Sequence, residues 1–263
     1  MQWYPGHMVR TTRRLKECLR FVDVVVEVVD ARIPCSGRNP LLDELAARRA
    51  RVISLNRSDL ADPATTKAWL AELARRGAKA VAVDGRAQRS VGRLAAAIAG
   101  LPGRANRSGA SRAMIVGVPN SGKSSIVNSL LRRAAARTED RAGVTRQMQW
   151  FRVAPNVELM DTPGLLPPKI STPEAQWKLA LCGAVPRNRY DPAEIAVTFH
   201  RWLVARDPHT NVPDLEAFAA SRGFVRRGGG VDYHNAAQSY IRAFNEGVFG
   251  RISLEAPNDV EAA

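Results

Sequence analysis

The chain has 263 residues, 45% of them hydrophobic, enough to bury one large core or two smaller ones. No apolar run approaches the roughly 18 residues of a membrane span, no secretory stretch opens the chain, and Cys18, Cys35 and Cys182 show no CxxC spacing. A membrane-spanning chain, a disulfide framework and a metal cluster are therefore not expected, and the cytoplasm is the expected compartment.

Phe21 to Asp30 (FVDVVVEVVD) is a β-branched apolar run that predicts a buried strand of a parallel sheet, and Arg51–Asn56 and Ala78–Val83 read the same way. Asp62-Pro63 predicts a helix start with Trp69, Leu70 and Leu73 inward, and Leu94, Ile98 and Leu101 follow helical spacing. Residues 102–111 are rich in Gly, Ser, Arg and Asn and read as a surface connection. Ala113–Gly117 is a short strand, followed by a glycine loop and a helix through Leu131; residues 148–153 and 157–161 are two more strands. Strands alternating with helices define an α/β domain with a parallel or mostly parallel sheet over residues 1–171. Beyond Pro168 the pattern becomes helical: Asp191-Pro192-Ala193-Glu194 opens one helix, Pro213–Arg222 forms a second, and Asp232–Glu246 a third that ends at Gly247. Residues 172–263 are thus expected to form a small all-helical domain.

Lysine and arginine total 39 against 25 acidic residues, a net charge of +14. Such a field favours a polyanionic partner, most often nucleic acid. Arginine-rich codon usage is the plain alternative, since six of the 39 basic residues are lysine. Residues 172–263 carry 10 basic and 11 acidic side chains, so the positive excess belongs to residues 1–171.

Gly117-Val118-Pro119-Asn120-Ser121-Gly122-Lys123-Ser124 fits GxxxxGK[ST] between a strand and a helix. Glycines allow the backbone to curl with its N–H groups around phosphate oxygens, and the helix N-terminus adds its dipole. In this reading Asn120, Ser121, Gly122, Lys123, Ser124 and Ser125 line the phosphates, Lys123 pairs with the β/γ-phosphates, and Ser124 ligates magnesium. Asp161-Thr162-Pro163-Gly164 follows a strand, as a magnesium-holding aspartate and a γ-phosphate-sensing Gly164 amide would; Thr145, in Gly143-Val144-Thr145, is the candidate switch threonine on the same metal. Asn56-Arg57-Ser58-Asp59 ends the strand RVISLN, where the Asp59 carboxylate can accept the ring N–H and exocyclic amine that guanine offers and adenine does not. Asn56 joins it in reading the base, and Asp84-Gly85 is expected to give a backbone amide to the guanine carbonyl.

With these motifs in hand, the chain resembles the TRAFAC-class P-loop GTPases of circularly permuted motif order, and within them the ribosome biogenesis GTPase A family (YlqF type). The base motifs at 56–59 and 84–85 precede the phosphate loop, Thr145 and the DTPG at 161–164. Trp3-Tyr4-Pro5-Gly6-His7-Met8, Asp30-Ala31-Arg32-Ile33-Pro34, Arg38-Asn39-Pro40, Arg226–Gly229 with Asp232-Tyr233, and Gly250–Glu255 match further family segments. The departures are Arg57 in place of a lysine, Asp84-Gly85 in place of Ser-Ala, and Ala142 in place of a proline. The family opening at Trp3 leaves no leader, so an organelle form with a transit peptide is not expected.

The resemblance implies GTP hydrolysis to GDP, magnesium as cofactor, and a role in late assembly of the large ribosomal subunit, with the helical domain on its rRNA. Because the tail is near neutral, much of the electrostatic grip on RNA is expected from the GTPase domain. Leu165 and Leu166 stand where many GTPases carry a water-positioning glutamine, so His7 joins Lys123 and Thr145 as a candidate catalytic residue. Asn120 points to potassium beside the phosphates. The alternative reading is a nucleotide-gated RNA clamp with little hydrolysis.

Overall fold

Strand β1 (Val24–Asp30) is buried at all seven positions, which its run of valines allows and its place at the centre of the sheet requires. The computed structural model describes residues 13, 15–47, 49–101, 110–135, 150–161, 170, 172–224 and 230–261. β1 pairs in parallel with β2 (Ala50–Asn56) on one side and with β4 (Ser111–Val116) on the other. With β3 (Lys79–Ala82), β5 (Trp150–Ala154) and β6 (Val157–Asp161), the order is β3-β2-β1-β4-β6-β5. The sheet is parallel except at its β5 edge, which runs antiparallel to β6. Only Pro155 and Asn156 separate those strands, too few residues for a parallel crossover.

The alternation of β1 sends Val24, Val26 and Val28 to one face with Ile115, beneath α3 (Gln88–Ala99) and α4 (Lys123–Ala135), which contribute Val91, Leu94, Ile98, Ile126 and Leu130. Val25, Met114, Val116 and Met160 pack on the other side with Leu15, Cys18, Leu19 and Leu42, the last from α1 (Leu41–Leu45). Trp69 and Leu73 of α2 (Pro63–Arg75) cover Val29, Ile53 and Leu55. Asp62 caps α2 through Thr65 N at 2.7 Å, with Pro63 at the first helical position, as its sequence signals require.

The first strand starts later than its apolar run. Phe21 is 53% exposed, because the chain is still turning there, with Phe21 N donating to Cys18 O at 3.0 Å. Asp23 then engages Arg112 through Asp23 N to Arg112 O (2.8 Å) and Arg112 N to Asp23 Oδ2 (3.0 Å), and the ladder begins at Val24.

The chain divides into two compact units, residues 1–169 with 253–263, and residues 170–252. The second contains α5 (Pro173–Leu181), a 3₁₀ turn at Arg187–Arg189, α6 (Pro192–Arg206), α7 (Leu215–Ser221) and α8 (Tyr233–Glu246). Its core is aromatic: Phe218 and Tyr240 meet edge to face at 5.1 Å, Phe199 and Phe244 at 5.0 Å, and the Tyr240 hydroxyl donates to Pro213 O at 2.7 Å. Asp191, Asp214 and Asp232 cap the last three helices. The sequence pattern opens the first helix of this unit at Asp191, yet α5 already begins at Pro173. Thr172 caps it through Ala175 N at 3.1 Å, a Thr-Pro-Glu start that the sequence displayed.

The boundary drawn at residue 172 assigned the whole tail to the helical domain, and this is corrected by the structure. From Ser253 onward the chain lies on the first unit. Leu254 N donates to Arg32 O (2.8 Å), Trp69 Nε1 to Glu255 O (2.9 Å), and Asp62 N to Ser253 Oγ (3.1 Å). Glu255, 4% exposed, accepts from Cys35 N at 2.7 Å, Ser36 N at 3.1 Å and Ser36 Oγ. The short α9 (Pro257–Glu261) packs on α2.

Candidate functional site

The C-terminal ends of β1, β2, β3 and β4 carry Asp30, Asn56, Asp84 and the phosphate loop, on one edge of the sheet because the four strands are parallel neighbours. Gly117 opens the phosphate loop with φ +155°, and a Cβ there would lie 2.2 Å from Val28 O of the adjacent strand. Gly122 has φ +92°, and a Cβ there would lie 2.0 Å from Asn56 Nδ2. The second glycine is therefore required by the base motif itself: the asparagine amide occupies the space that a side chain would fill.

That amide is the centre of the site. Asn56 Nδ2 donates to Ser121 O at 2.7 Å, and Asn56 Oδ1 accepts from Gly85 N at 3.0 Å. One buried carboxamide thus ties the end of β2, the phosphate loop and the turn after β3 together. Ser129 of α4 completes the clasp, its hydroxyl donating to Gly85 O at 2.6 Å.

This geometry bears on two roles expected from sequence. The Gly85 amide is taken up by Asn56, and Arg86 N by Asp84 Oδ1 at 2.9 Å, so Asp84-Gly85 forms a closed turn rather than a donor aimed at a guanine carbonyl. Asn56 joins loops through Oδ1 and one of its two Nδ2 hydrogens, and the half-buried Asp59 carboxylate has no hydrogen-bond or ion-pair partner among the described residues.

Arg57 is the second joint. It has φ +57°, an uncommon backbone for a side chain without local polar reach, and its Nη2 donates to Asn120 O at 2.9 Å while Nη1 lies 3.5 Å from Asp30 Oδ2. Asn120 also has φ +57°, which asparagine tolerates. The Arg57 guanidinium therefore grips the phosphate loop. Asp30 is held in turn by Arg32, fully buried, through Arg32 Nε (2.9 Å), Nη2 (2.8 Å) and N (3.0 Å). Burial alone would raise the Asp30 carboxyl, but the charge and hydrogen bonds of Arg32, with the charge of Arg57, outweigh it and hold the group below the usual carboxylate range. The signal of the Asp30–Arg32 pair in sequence is the segment Asp30–Pro34, which carries a charged residue at each end of a short step out of a fully buried strand.

Lys123, 7% exposed, donates Nζ to Gly117 O (3.0 Å) and Val118 O (2.8 Å), curled over the loop it is expected to serve. The Ser121 hydroxyl is buried without a hydrogen-bond partner among the described residues, a donor suited to a phosphate oxygen. Ser124 and Ser125 are exposed on the first turn of α4. Asp161 closes β6 in register with Ile115, two residues before Gly117, so its backbone and Ser124 belong to the same end of the sheet. Those positions fit a magnesium ion beside phosphates. His7, Thr145 and Gly164 lie outside the described residues. Among the described residues no group of three His, Cys, Asp or Glu could hold a metal by itself, and no helix is long and apolar enough to cross a membrane.

A parallel sheet with a phosphate loop after β4, clasped to a base motif that precedes it in sequence, defines a P-loop nucleotide-binding protein of circularly permuted order. Residues 112–188 match the family model described as 50S ribosome-binding GTPase. Ribosome biogenesis GTPase A of Bacillus cereus is 34% identical over 280 residues, 98% of this chain and 95% of the relative. The same-named protein of Priestia megaterium is 35% identical, covering 99% and 98%. The crystal structure of GNP-bound YlqF from T. maritima superposes with a TM-score of 0.74 at 30% identity, covering 94% of this chain and 98% of that one. The chain belongs to the ribosome biogenesis GTPase A family, and it is a GTPase.

Proposed function

We propose that this GTPase assists late assembly of the large ribosomal subunit in the cytoplasm, with its nucleotide state controlling its hold on ribosomal RNA. The observation that carries the reading is the Asn56 clasp, which makes one nucleotide site from motifs written in shuffled order, in a chain whose full-length relatives are named for ribosome biogenesis. The rest follows from what the loops can do. Lys123 exchanges its two loop carbonyls for the β- and γ-phosphates, and the Ser121 hydroxyl and loop amides meet the remaining oxygens. Ser124, Thr145 and Asp161 would hold magnesium, which when bound neutralises phosphate charge. Asp59 selects guanine, with Arg57 bracing the loop between them. His7 is the group we assign to positioning the attacking water, Gly164 to sensing the γ-phosphate, and a potassium ion beside Asn120 to further charge neutralisation.

The direct test is co-sedimentation with ribosomal subunits in the presence of a GTP analogue, GDP or no nucleotide, together with turnover measured with and without large subunits. Binding to the large subunit favoured by the GTP analogue, with subunit-stimulated hydrolysis, is the expected result. Nucleotide-gated binding without stimulation would leave an RNA clamp. Indifference to nucleotide would overturn the reading.

A further inference from the structure

The positive excess of the first unit has a location. Between Asp84 and Glu139 the sequence holds ten lysines and arginines and no aspartate or glutamate. Within this stretch α3 and α4 lie side by side. Arg89 and Arg93 are one turn apart on the exposed side of α3, and the exposed Arg86 precedes them. Gly92 shares their face, and Arg133 reaches over from α4 into the space that a side chain there would take, its Cζ 2.8 Å from an ideal Cβ at position 92. Arg133 is thereby brought onto the face of α3 that carries Arg89 and Arg93, with the exposed Arg132 next along α4.

None of Arg86, Arg89, Arg93, Arg132 and Arg133 has a carboxylate partner among the described residues; Arg93 and Arg132 reach the hydroxyls of Ser90 and Ser129, both at 3.3 Å. Elsewhere on the same unit most described arginines are neutralised in place: Arg75 and Arg76 by Glu72, Arg112 and Arg152 by Glu158, Arg13 by Glu17, and Arg38 and Arg51 by Asp43 and Glu27, whereas Arg49 binds Leu19 O. Arginine-rich codon usage would scatter arginine without regard to carboxylates, so it does not account for this sorting. The face also lacks the large exposed apolar side chain that anchors a protein partner; the exposed large hydrophobics of the described residues all lie outside residues 85–135. Clustered, unneutralised guanidinium forks suit phosphates, which they bind bidentately with release of counterions.

We propose that the α3–α4 face, centred on Arg89, Arg93 and Arg133, binds the phosphate backbone of RNA. The proposal rests on the ribosomal role above and adds the surface through which the GTPase unit holds its partner. The test uses full-length protein and purified large-subunit ribosomal RNA, with affinity measured over a salt series. A triple variant R89Q/R93Q/R133Q is compared with R13Q/R75Q/R76Q, which removes the same charge from carboxylate-paired positions, and GTP binding and melting are recorded for both. The expected result is a log–log salt slope shallower by about 2 to 3 for the first variant, with the second variant near wild type and GTP binding retained by both. Should the first variant melt early, R89Q/R93Q, which leaves Arg133 in place, is expected to lower the slope by about 1 to 2. Equal effects of the two triple variants would reduce the observation to net charge and overturn the proposal, as would an unchanged slope. A wild-type protein that binds no RNA would instead defeat the ribosomal role from which the proposal starts.

Discussion

Replacing Asn56 by aspartate changes one atom and tests the centre of the site. Oδ1 would still accept from Gly85 N, but the 2.7 Å donor to Ser121 O would become an oxygen, so two acceptors would face each other in a buried position. There is no room to separate them toward the phosphate loop, because Gly122 already passes so close that a Cβ would sit 2.0 Å from that atom. The lost hydrogen bond costs about 1 kcal/mol and the unsatisfied carbonyl roughly 1–3 kcal/mol, with a partly buried charge added, on the order of 3–5 kcal/mol together. Asn56→Ala strands both Gly85 N and Ser121 O and is expected to cost about 2–5 kcal/mol. Thermal unfolding and titration with a fluorescent guanine nucleotide read the two consequences. At about 2–4 °C per kcal/mol for a unit of this size, the Asp variant melts about 6–20 °C lower. Its GTP affinity falls at least about 100-fold, since 1.4 kcal/mol is roughly a factor of ten. An Asp variant within about threefold of wild-type affinity and about 1 °C of its melting point would show that the clasp does not organise the site.

Gly122→Ala adds the carbon that meets Asn56 and demands φ +92° of an alanine, so nucleotide titration is expected to show at least about a 100-fold loss of affinity. Asp30→Asn tests acid stability. Because the folded carboxyl lies below its ordinary value, its stabilisation is complete above about pH 4 and is lost as pH falls through the lowered folded value. Melting temperatures taken from neutral pH downward should therefore fall less steeply below about pH 4 in the asparagine variant, which starts about 3–5 kcal/mol weaker because Arg32 remains buried; parallel curves for the two proteins would refute this. Glu255→Ala leaves Cys35 N and Ser36 N without their acceptor, about 2–4 kcal/mol, and should lower the melting point of the first unit by about 4–16 °C.

Periodicity and local chemistry made the scaffold legible. The valines of β1, the Asp62-Pro63 cap of α2 and the phosphate loop between β4 and α4 each announce themselves within a few residues. The start of β1 was less so: hydrophobicity extends back to Phe21, and the competing turn at Cys18–Phe21 is decided by tertiary packing. The two-residue link between β5 and β6 did encode their antiparallel pairing. What pattern reasoning could not supply were pairings between distant residues. Asn56 meets Gly85 and Ser121, 29 and 65 positions away, and Glu255 meets Cys35 across 220. Arg57 reads only as a substitute for a family lysine until Asn120 O and Asp30 are seen beside it.

The return of residues 253–263 to the first unit bears on how this chain is made. The helical unit is in effect an insertion, and the stretch that fastens the turn at Arg32–Ser36 leaves the ribosome only after that whole unit. Strands β1 to β6 can pair while translation continues, but the turn that braces Asp30 acquires its fastening only after the helical unit has been made, so a product cut short after residue 252 would display every nucleotide motif and still lack that fastening.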